Sequence, residues 1–361
     1  MKFENLKDYN SENIHIGCIG SHSALEIAYG AKESGLKTVV VVQKGRDKTY
    51  TQYYKNLFDE IIIVDQFKDC VLPEVVAKLN QLHTIFVPNR SFSVYVGYDE
   101  IENQFPVPIF GNRNLLRAEE RTEEHDQFWY LEKAQIPYPK KYATYKDIDS
   151  IVMVKIPHAT KKVERGFFIV SSPEEFETKT EELIKKNYIR FADLGKVQIE
   201  EFIIGALFNL DYFYSPLTGE VEFLGADQRI ETDIEGVLHL TAPYQKAVPW
   251  EPHLIPVGHR GVTVRESLLE NVFELGEKLH KATSKYQSPG VIGPFSLQGA
   301  FDKDTQFYTF DVSFRVPGAP ILQTTSPYTL YKFQKPLNFG ERIAIEIKNA
   351  LKTNRLAECL T

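Results

Sequence analysis

At 361 residues, with 43% hydrophobic and 25% charged side chains, the chain is long enough for two or three packed units and has the balance of an ordinary globular protein. Its formal net charge of -7 argues against a general nucleic-acid binder, which shows a basic balance or a basic stripe. Cys18, Cys70 and Cys359 have no CxxC spacing, which excludes a disulfide framework and a zinc site and points to a reducing cytoplasm. The opening stretch MKFENLKDYNSE lacks the apolar run of a signal peptide, and no segment nears the roughly 20 apolar residues that cross a bilayer.

In chain order, Asn13 to Gly20 reads as a buried strand, followed by a helix from Ala24 to Ser34 and a second strand from Leu36 to Val42. Further strands are expected at Glu60 to Asp65 and His83 to Pro88, with a helix at Leu72 to Leu82 between them. Continuous β-branched runs separated by helical patterns indicate a parallel sheet covered on both faces, an open α/β unit ending near residue 115. One charged helix is expected from Asn114 to Ala134. The pattern then changes. Ile151 to Ile156 and Arg165 to Val170 read as a hairpin, Glu174 to Lys186 as an amphipathic helix, and Val197 to Ile203, Ala206 to Tyr214 and Val221 to Ala226 as antiparallel strands. A long helix at Val264 to Ser284, strands at Val291 to Phe301 and Phe307 to Phe314, and a closing helix at Gly340 to Leu351 complete an α+β remainder.

The polar loops at strand ends are the candidate ligand sites. Gly20-Ser21-His22-Ser23 joins the first strand to the first helix, where free N–H groups face an anion; a capped helix start with a surface histidine is the plain alternative. Pro88-Asn89-Arg90-Ser91 and Gly111-Asn112-Arg113 repeat that placement, and either suits a polar small molecule or an ordinary surface loop. Lys155 lies in an apolar strand, where a charge is costly unless it meets an anion such as a nucleotide phosphate; with Lys141 it forms a cationic pair. The connecting segment from Pro157 to Gly166 is rich in cations and has the position of a loop closing over a triphosphate. Glu200 and Glu201 point to opposite faces of one strand, so one can meet a ribose. Gln298 and Asp311 lie on successive strands, where oxygen ligands hold Mg²⁺ against phosphates; Ser313 and Arg315 share the face of Asp311.

The order of these pieces resembles the archaeal PurP family of ATP-grasp enzymes, the formate-dependent synthetases of 5-formaminoimidazole-4-carboxamide ribonucleotide (FAICAR). The resemblance runs over nearly the whole chain and is carried by GSHSALEIAYGAK from Gly20, VPNRSFSVYVG from Val87, VPIFGNRNLLRAEE from Val107 and IPYPKKY from Ile136. IEEFIIGALFNLDYFYSPL from Ile199, VRESLLENVFELGEKL from Val264, GPFSLQG from Gly293 and SPYTLY from Ser326 extend it.

The resemblance implies a pre-ATP-grasp α/β substrate-binding domain over 1–115 and an ATP-grasp domain over 116–361, with a small lid at about 137–203 and a C-terminal subdomain at about 204–361. It implies that ATP phosphorylates formate and that the 5-amino group of AICAR attacks the formyl phosphate. His22, Ser91 and His259 then contact AICAR; Lys141, Lys155, Glu200, Glu201 and Glu222 contact ATP; Gln298 and Asp311 hold Mg²⁺, with Mn²⁺ as the alternative ion; Lys155 and Arg315 act in catalysis. A homo-oligomer in the cytoplasm, with no membrane or nucleic-acid partner, is also implied.

Four departures lie near this chemistry. The family's triphosphate loop is glycine-rich, whereas here it reads HATKKVERG; the family's metal positions are glutamates; His259 replaces an asparagine; and RVPGAP follows the metal strand. They leave open a ligase for a different amine and carboxylate, and a non-catalytic nucleotide-binding paralogue.

Overall fold

Continuous apolar runs become the strands of the first sheet. The structure, a computed structural model, describes residues 6, 8–121, 123–156, 167–232, 234–247, 255–320 and 322–361. In the first layer β1 (His15–Ile19) leads into α1 (Ala24–Glu33), β2 (Lys37–Gln43), β3 (Glu60–Val64), α2 (Pro73–Gln81) and β4 (Thr84–Phe86). The four strands pair in parallel in the order β3-β2-β1-β4, with His15 opposite both Lys37 and Thr84. The β-branched residues of β2, Val39 to Val42, are buried because both faces are covered. Two short helices, α3 (Arg90–Val96) and α4 (Tyr98–Asn103), follow.

The expected helix from Asn114 to Ala134 is instead a 3₁₀ segment, Arg113–Glu119, and a separate α5 (Gln127–Lys133). Each has its own cap: Asn112 accepts from the Asn114 N–H, and Asp126 accepts from the Trp129 N–H at 2.9 Å. Arg113 is fully buried, and its guanidinium donates to the carbonyls of Ile101, Phe105, Val107 and Thr361 at 2.7–3.0 Å. Asn112 donates to the carbonyls of Gln287 and Gly290. The Gly111-Asn112-Arg113 loop, expected to face a ligand, is thus a structural knot.

The second sheet is antiparallel. β5 (Lys141–Tyr142), β6 (Val152–Lys155), β7 (Phe167–Val170) and β8 (Gln198–Glu201) lie in the order β5-β8-β6-β7, backed by α6 (Pro173–Lys185) with its Ser172 cap. The candidate triphosphate loop, 157–166 with Lys161, Lys162 and Arg165, lies outside the described residues.

The third sheet carries β9 (Ala206–Ser215), β10 (Glu220–Glu231), β11 (Pro256–Val262), β12 (Gly293–Phe301) and β13 (Phe307–Ser313) in the order β11-β10-β9-β12-β13. α7 (Ile234–Leu238) and α8 (Ala242–Ala247) fall between β10 and β11, and α9 (Leu269–Tyr286) between β11 and β12. β11 has no sequence signal: PVGHRGV carries two glycines, a histidine and an arginine, and pairs along one edge only. Period-2 alternation splits this sheet's residues. Leu210 and Tyr212 turn to the α9 and α5 side, where Tyr212 stacks on Phe295 with centroids 5.0 Å apart. The odd-numbered residues of β9 turn the other way.

The chain closes with α10 (Leu322–Thr325), α11 (Pro327–Phe333) and α12 (Phe339–Lys352). α12 packs on α1 at backbone contact: a Cβ on Gly30 would stand 2.0 Å from Glu341 N, and one on Gly340 would stand 2.1 Å from Glu26 O. One hydrophobic core therefore joins Ile14, Ile27 and Val40 of the first layer to Val316, Phe339 and Ile347 near the other end of the chain.

Candidate functional site

The second face of the third sheet builds the floor of a cleft. Alternate residues of all five strands meet there: Asn209 and Asp211 from β9, Asp227 and Arg229 from β10, His259 from β11, Ser296 and Gln298 from β12, and Ser313 from β13. Arg315 and the turn Pro317-Gly318-Ala319 close the side toward the first layer, around roughly 280 Å³ of empty space partly open to solvent.

The first layer supplies the opposite wall. Asn89 donates to the Ile19 carbonyl at 2.9 Å and bridges Val316, so the ends of β1 and β4 are fixed to the segment after β13. Ser23 Oγ donates to the Pro317 carbonyl at 2.8 Å. His22 is thereby set against Gly318, where an added Cβ would stand 2.8 Å from the imidazole. Crowding by surrounding protein, then the charges of Arg315, His259, Arg229 and Arg90, lower its pKa to about 4, although the residue as a whole is exposed to solvent.

Arg315 is held from behind. Its Nη2 donates to Glu119 at 3.3 Å, the same carboxylate takes Arg90 at 3.1 Å, and its other oxygen accepts the Phe314 N–H. Burial lowers the Arg315 pKa against the pull of Glu119. The paired arginines, with Arg229, give this wall a positive field suited to phosphate or carboxylate. Ser91 is buried in the first turn of α3, beside Arg90 but not among the residues lining the cleft.

A second cluster links the second sheet to β13. Lys155 Nζ is ion-paired with Glu200, whose other oxygen is 3.5 Å from Arg121. Burial first, then Arg121, lower the Lys155 pKa, while Glu200 opposes that shift. Lys141, opposite Glu200 in register, lies 3.7 Å from the Phe128 ring centroid, and burial lowers its pKa too. Glu201 faces away from this cluster, and its carboxylate accepts the Lys140 N–H. Arg121 also donates to the Phe310 carbonyl at 3.1 Å, next to Asp311.

Gln298 and Asp311 are direct cross-strand partners. Burial alone would raise the Asp311 carboxyl, but Arg121, Arg229 and Arg90 hold it below its ordinary value, so it is ionised. Gln298 Oε1 is buried and accepts no hydrogen bond from the described residues. An ionised carboxylate beside an unpaired amide oxygen is an all-oxygen donor set, which fits Mg²⁺. Among the described residues no group of three or more His, Cys, Asp or Glu side chains could hold a metal ion, so any ion here depends on substrate oxygens for further ligands.

Glu222 is a correction. Both its oxygens are taken by Arg342 of α12, at 2.7 and 2.9 Å, and Arg342 also holds Glu346 at 2.9 Å, at the far end of the same sheet face. This buried pair braces the sheet against α12 and is not brought to the cleft. Asp211, Asp227, Asn209, Arg229 and Glu119, which do shape the site, were not singled out from the sequence. The signal available was polar residues at alternate positions in the apolar strands FNLDYF and GADQRI.

A parallel layer, a four-stranded antiparallel sheet and a five-stranded sheet around a cleft lined by arginines define an ATP-grasp fold. Solved structures agree: N5-carboxyaminoimidazole synthetase from Staphylococcus aureus complexed with ADP superposes with a TM-score of 0.54 at 14% identity, over 86% of this chain and 73% of that one. The IMP biosynthesis protein PurP from Thermococcus kodakaraensis reaches a TM-score of 0.70 at 26% identity, over 96% of this chain and all (100%) of that one. Residues 16–142 match the family described as "Protein of unknown function (DUF1246)" and 175–361 the one described as "Domain of unknown function (DUF1297)".

Two curated relatives share the name 5-formaminoimidazole-4-carboxamide-1-(beta)-D-ribofuranosyl 5'-monophosphate synthetase. The protein from Methanobrevibacter smithii is 39% identical over 99% of this chain and 98% of its own length; that from Methanopyrus kandleri is 42% identical over 96% and 95%. The chain belongs to this synthetase family. No helix among the described residues is long and apolar enough to cross a membrane.

Proposed function

We propose that the chain is an ATP-dependent carbon–nitrogen ligase of the cytoplasm that joins formate to the amine of AICAR through formyl phosphate, giving FAICAR for IMP synthesis. The observation that carries this reading is the convergence of Arg315, His259 and Gln298 on one cleft between the first layer and the third sheet, with His22 packed against Gly318 at its side.

In this reading ATP lies between the lid sheet and the third sheet. Lys141 and Lys155 bind its phosphates, Lys155 exchanging its ion pair with Glu200 for a phosphate oxygen, and Glu200 or Glu201 contacts the ribose. Asp311 and Gln298 Oε1 would hold Mg²⁺, or Mn²⁺ on the same oxygen donors, and the ion would supply charge shielding for the phosphates. Arg315, already fixed by Glu119, orients the formate carboxylate and the developing charge on the acyl phosphate without reorganising. His22 is neutral and donates a hydrogen bond to AICAR, and Arg90 and Arg229 add positive charge around it. Ser91 acts from the buried first turn of α3.

The test is ADP release measured with AICAR, formate, ATP and Mg²⁺, and with each omitted in turn. Release that needs all four supports the reading. No release with all four present sinks it, and binding of AICAR or ATP without turnover assigns the chain to a non-catalytic role.

A further inference from the structure

The floor of the cleft holds a carboxyl group that the scheme above leaves without a task. Asp211, in the middle of β9, is fully buried and is one of the residues lining the cleft. Buried polar side chains are normally satisfied, yet neither Asp211 oxygen makes a hydrogen bond among the described residues. Its ladder partners are small, Ser296 on β12 and Gly225 on β10, so no long side chain from either covers it. Burial first, then the neighbouring Asp227, raise its pKa well above the ordinary carboxylate value, with Ser296 opposing the shift and Glu26 of α1 adding to it. Asp211 therefore keeps its proton where a surface aspartate has lost it.

A protonated carboxyl presents one O–H donor and one C=O acceptor side by side. That pair is the complement of a primary carboxamide, whose C=O takes the O–H and whose N–H₂ gives to the C=O. Anions are served elsewhere in the cleft, by Arg315 and Arg229. AICAR carries such a carboxamide on the ring carbon next to its reacting amine, positions 4 and 5 of the imidazole.

Resting on the reading proposed above, we infer that Asp211 is a specificity-determining residue for the amine substrate, holding its carboxamide by two hydrogen bonds at the floor of the cleft. With the carboxamide anchored, the amine on the next ring carbon has one direction left to it. The same ribonucleotide with hydrogen at this ring position leaves a buried donor and acceptor bare, and a site built to hydrogen-bond a group strongly rejects an analogue that lacks it. A carboxylate at this position supplies no N–H and brings negative charge to a floor that already holds Asp211 and Asp227.

The experiment uses the full chain and two ligands, AICAR and the ribonucleotide lacking the carboxamide, with affinity read by calorimetry and turnover by ADP release. Wild type should bind AICAR more tightly by roughly 10²-fold or more. Asp211→Ala should erase most of that preference by weakening AICAR alone. Asp211→Asn, which keeps a donor beside an acceptor and cannot ionise, should keep the preference to within about tenfold. Melting separates the plain alternative, a packing role: removing an unpartnered buried carboxyl should leave the free protein at least as stable as wild type.

Wild type that binds both ribonucleotides alike overturns the inference before any variant is made. An undiminished preference in Asp211→Ala overturns it too, as does a variant that melts early and weakens for both ligands equally. A raised KM for formate with the preference intact overturns it and places formate on Asp211. Discrimination that depends on Asp211 in a chain releasing no ADP supports the inference and sinks the ligase reading, whereas AICAR-dependent ADP release without that discrimination does the reverse.

Discussion

Gln298 on β12 stands directly across from Asp311 on β13, an amide facing a carboxylate where the family pattern pairs two glutamates. The pair carries one negative charge fewer, and three arginines surround the charge that remains. Gln298→Glu should therefore lower the half-saturating Mg²⁺ concentration about tenfold, equivalent to ~1.4 kcal/mol of binding. Asp311→Asn should remove metal-dependent ADP release. An Mg²⁺ titration of ADP release checks both, and identical titration curves for Gln298→Glu and wild type would show that the ion is held elsewhere.

Lys155 and Glu200 form an ion pair whose two members differ in access: the lysine side chain is 20% exposed and the carboxylate 2%. Lys155→Met leaves Glu200 with Arg121 alone, and losing one partner of such a buried pair costs about 3–5 kcal/mol. The variant should melt earlier and show a raised KM for ATP, with AICAR affinity in the adjacent cleft little changed. Glu200→Gln frees the ammonium and should affect ATP binding far less than Lys155→Met. Equal ATP constants for Lys155→Met and wild type would remove Lys155 from the phosphate site.

Glu222 provides the contrast. Glu222→Gln breaks a two-point contact with Arg342 in the core and should cost about 3 kcal/mol of stability, read as a lower urea midpoint, with KM for ATP unchanged. A rise in KM without loss of stability would return Glu222 to the nucleotide site.

Glu26 makes stability depend on pH. Burial pushes its carboxyl up to about 8, against the Phe339 N–H that it accepts at 2.9 Å. Because the folded value lies above the unfolded one, its stabilising effect is full below about pH 4.5 and is lost as pH rises through about 8. Glu26→Gln keeps the acceptor and removes the ionisation, so it should raise Tm above about pH 8 and leave it nearly unchanged near pH 5. Thermal melts across that window check the sign.

The parallel layer was legible because buried strands such as KTVVVVQ are β-branched runs that little else accommodates. The edge strand β11 was not, because PVGHRGV has no regular alternation, its two valines are separated by glycines and charged residues, and it is held by β10 alone. Among site residues, His22 and Lys155 are conspicuous in sequence as polar groups at a strand end or inside an apolar run. Asp211 and Asp227 are single carboxylates in ordinary strands, and their partnership arises only when β9 and β10 pair. The charged stretch after Arg113 read as one helix because its periodicity is helical, while Arg113 and Glu119 spend their side chains on distant backbone groups, a demand invisible locally.

The glycine-to-glycine contact of α1 with α12 sets the order in which the protein can be made. Gly30 and Gly340 are some three hundred positions apart, yet neither helix can bury its inner face without the other. A ribosome that has released only the first layer therefore displays a greasy, glycine-notched stripe awaiting its lid. A separately expressed 1–115 piece should precipitate or bind a hydrophobic dye, and co-expression with the remainder should rescue it.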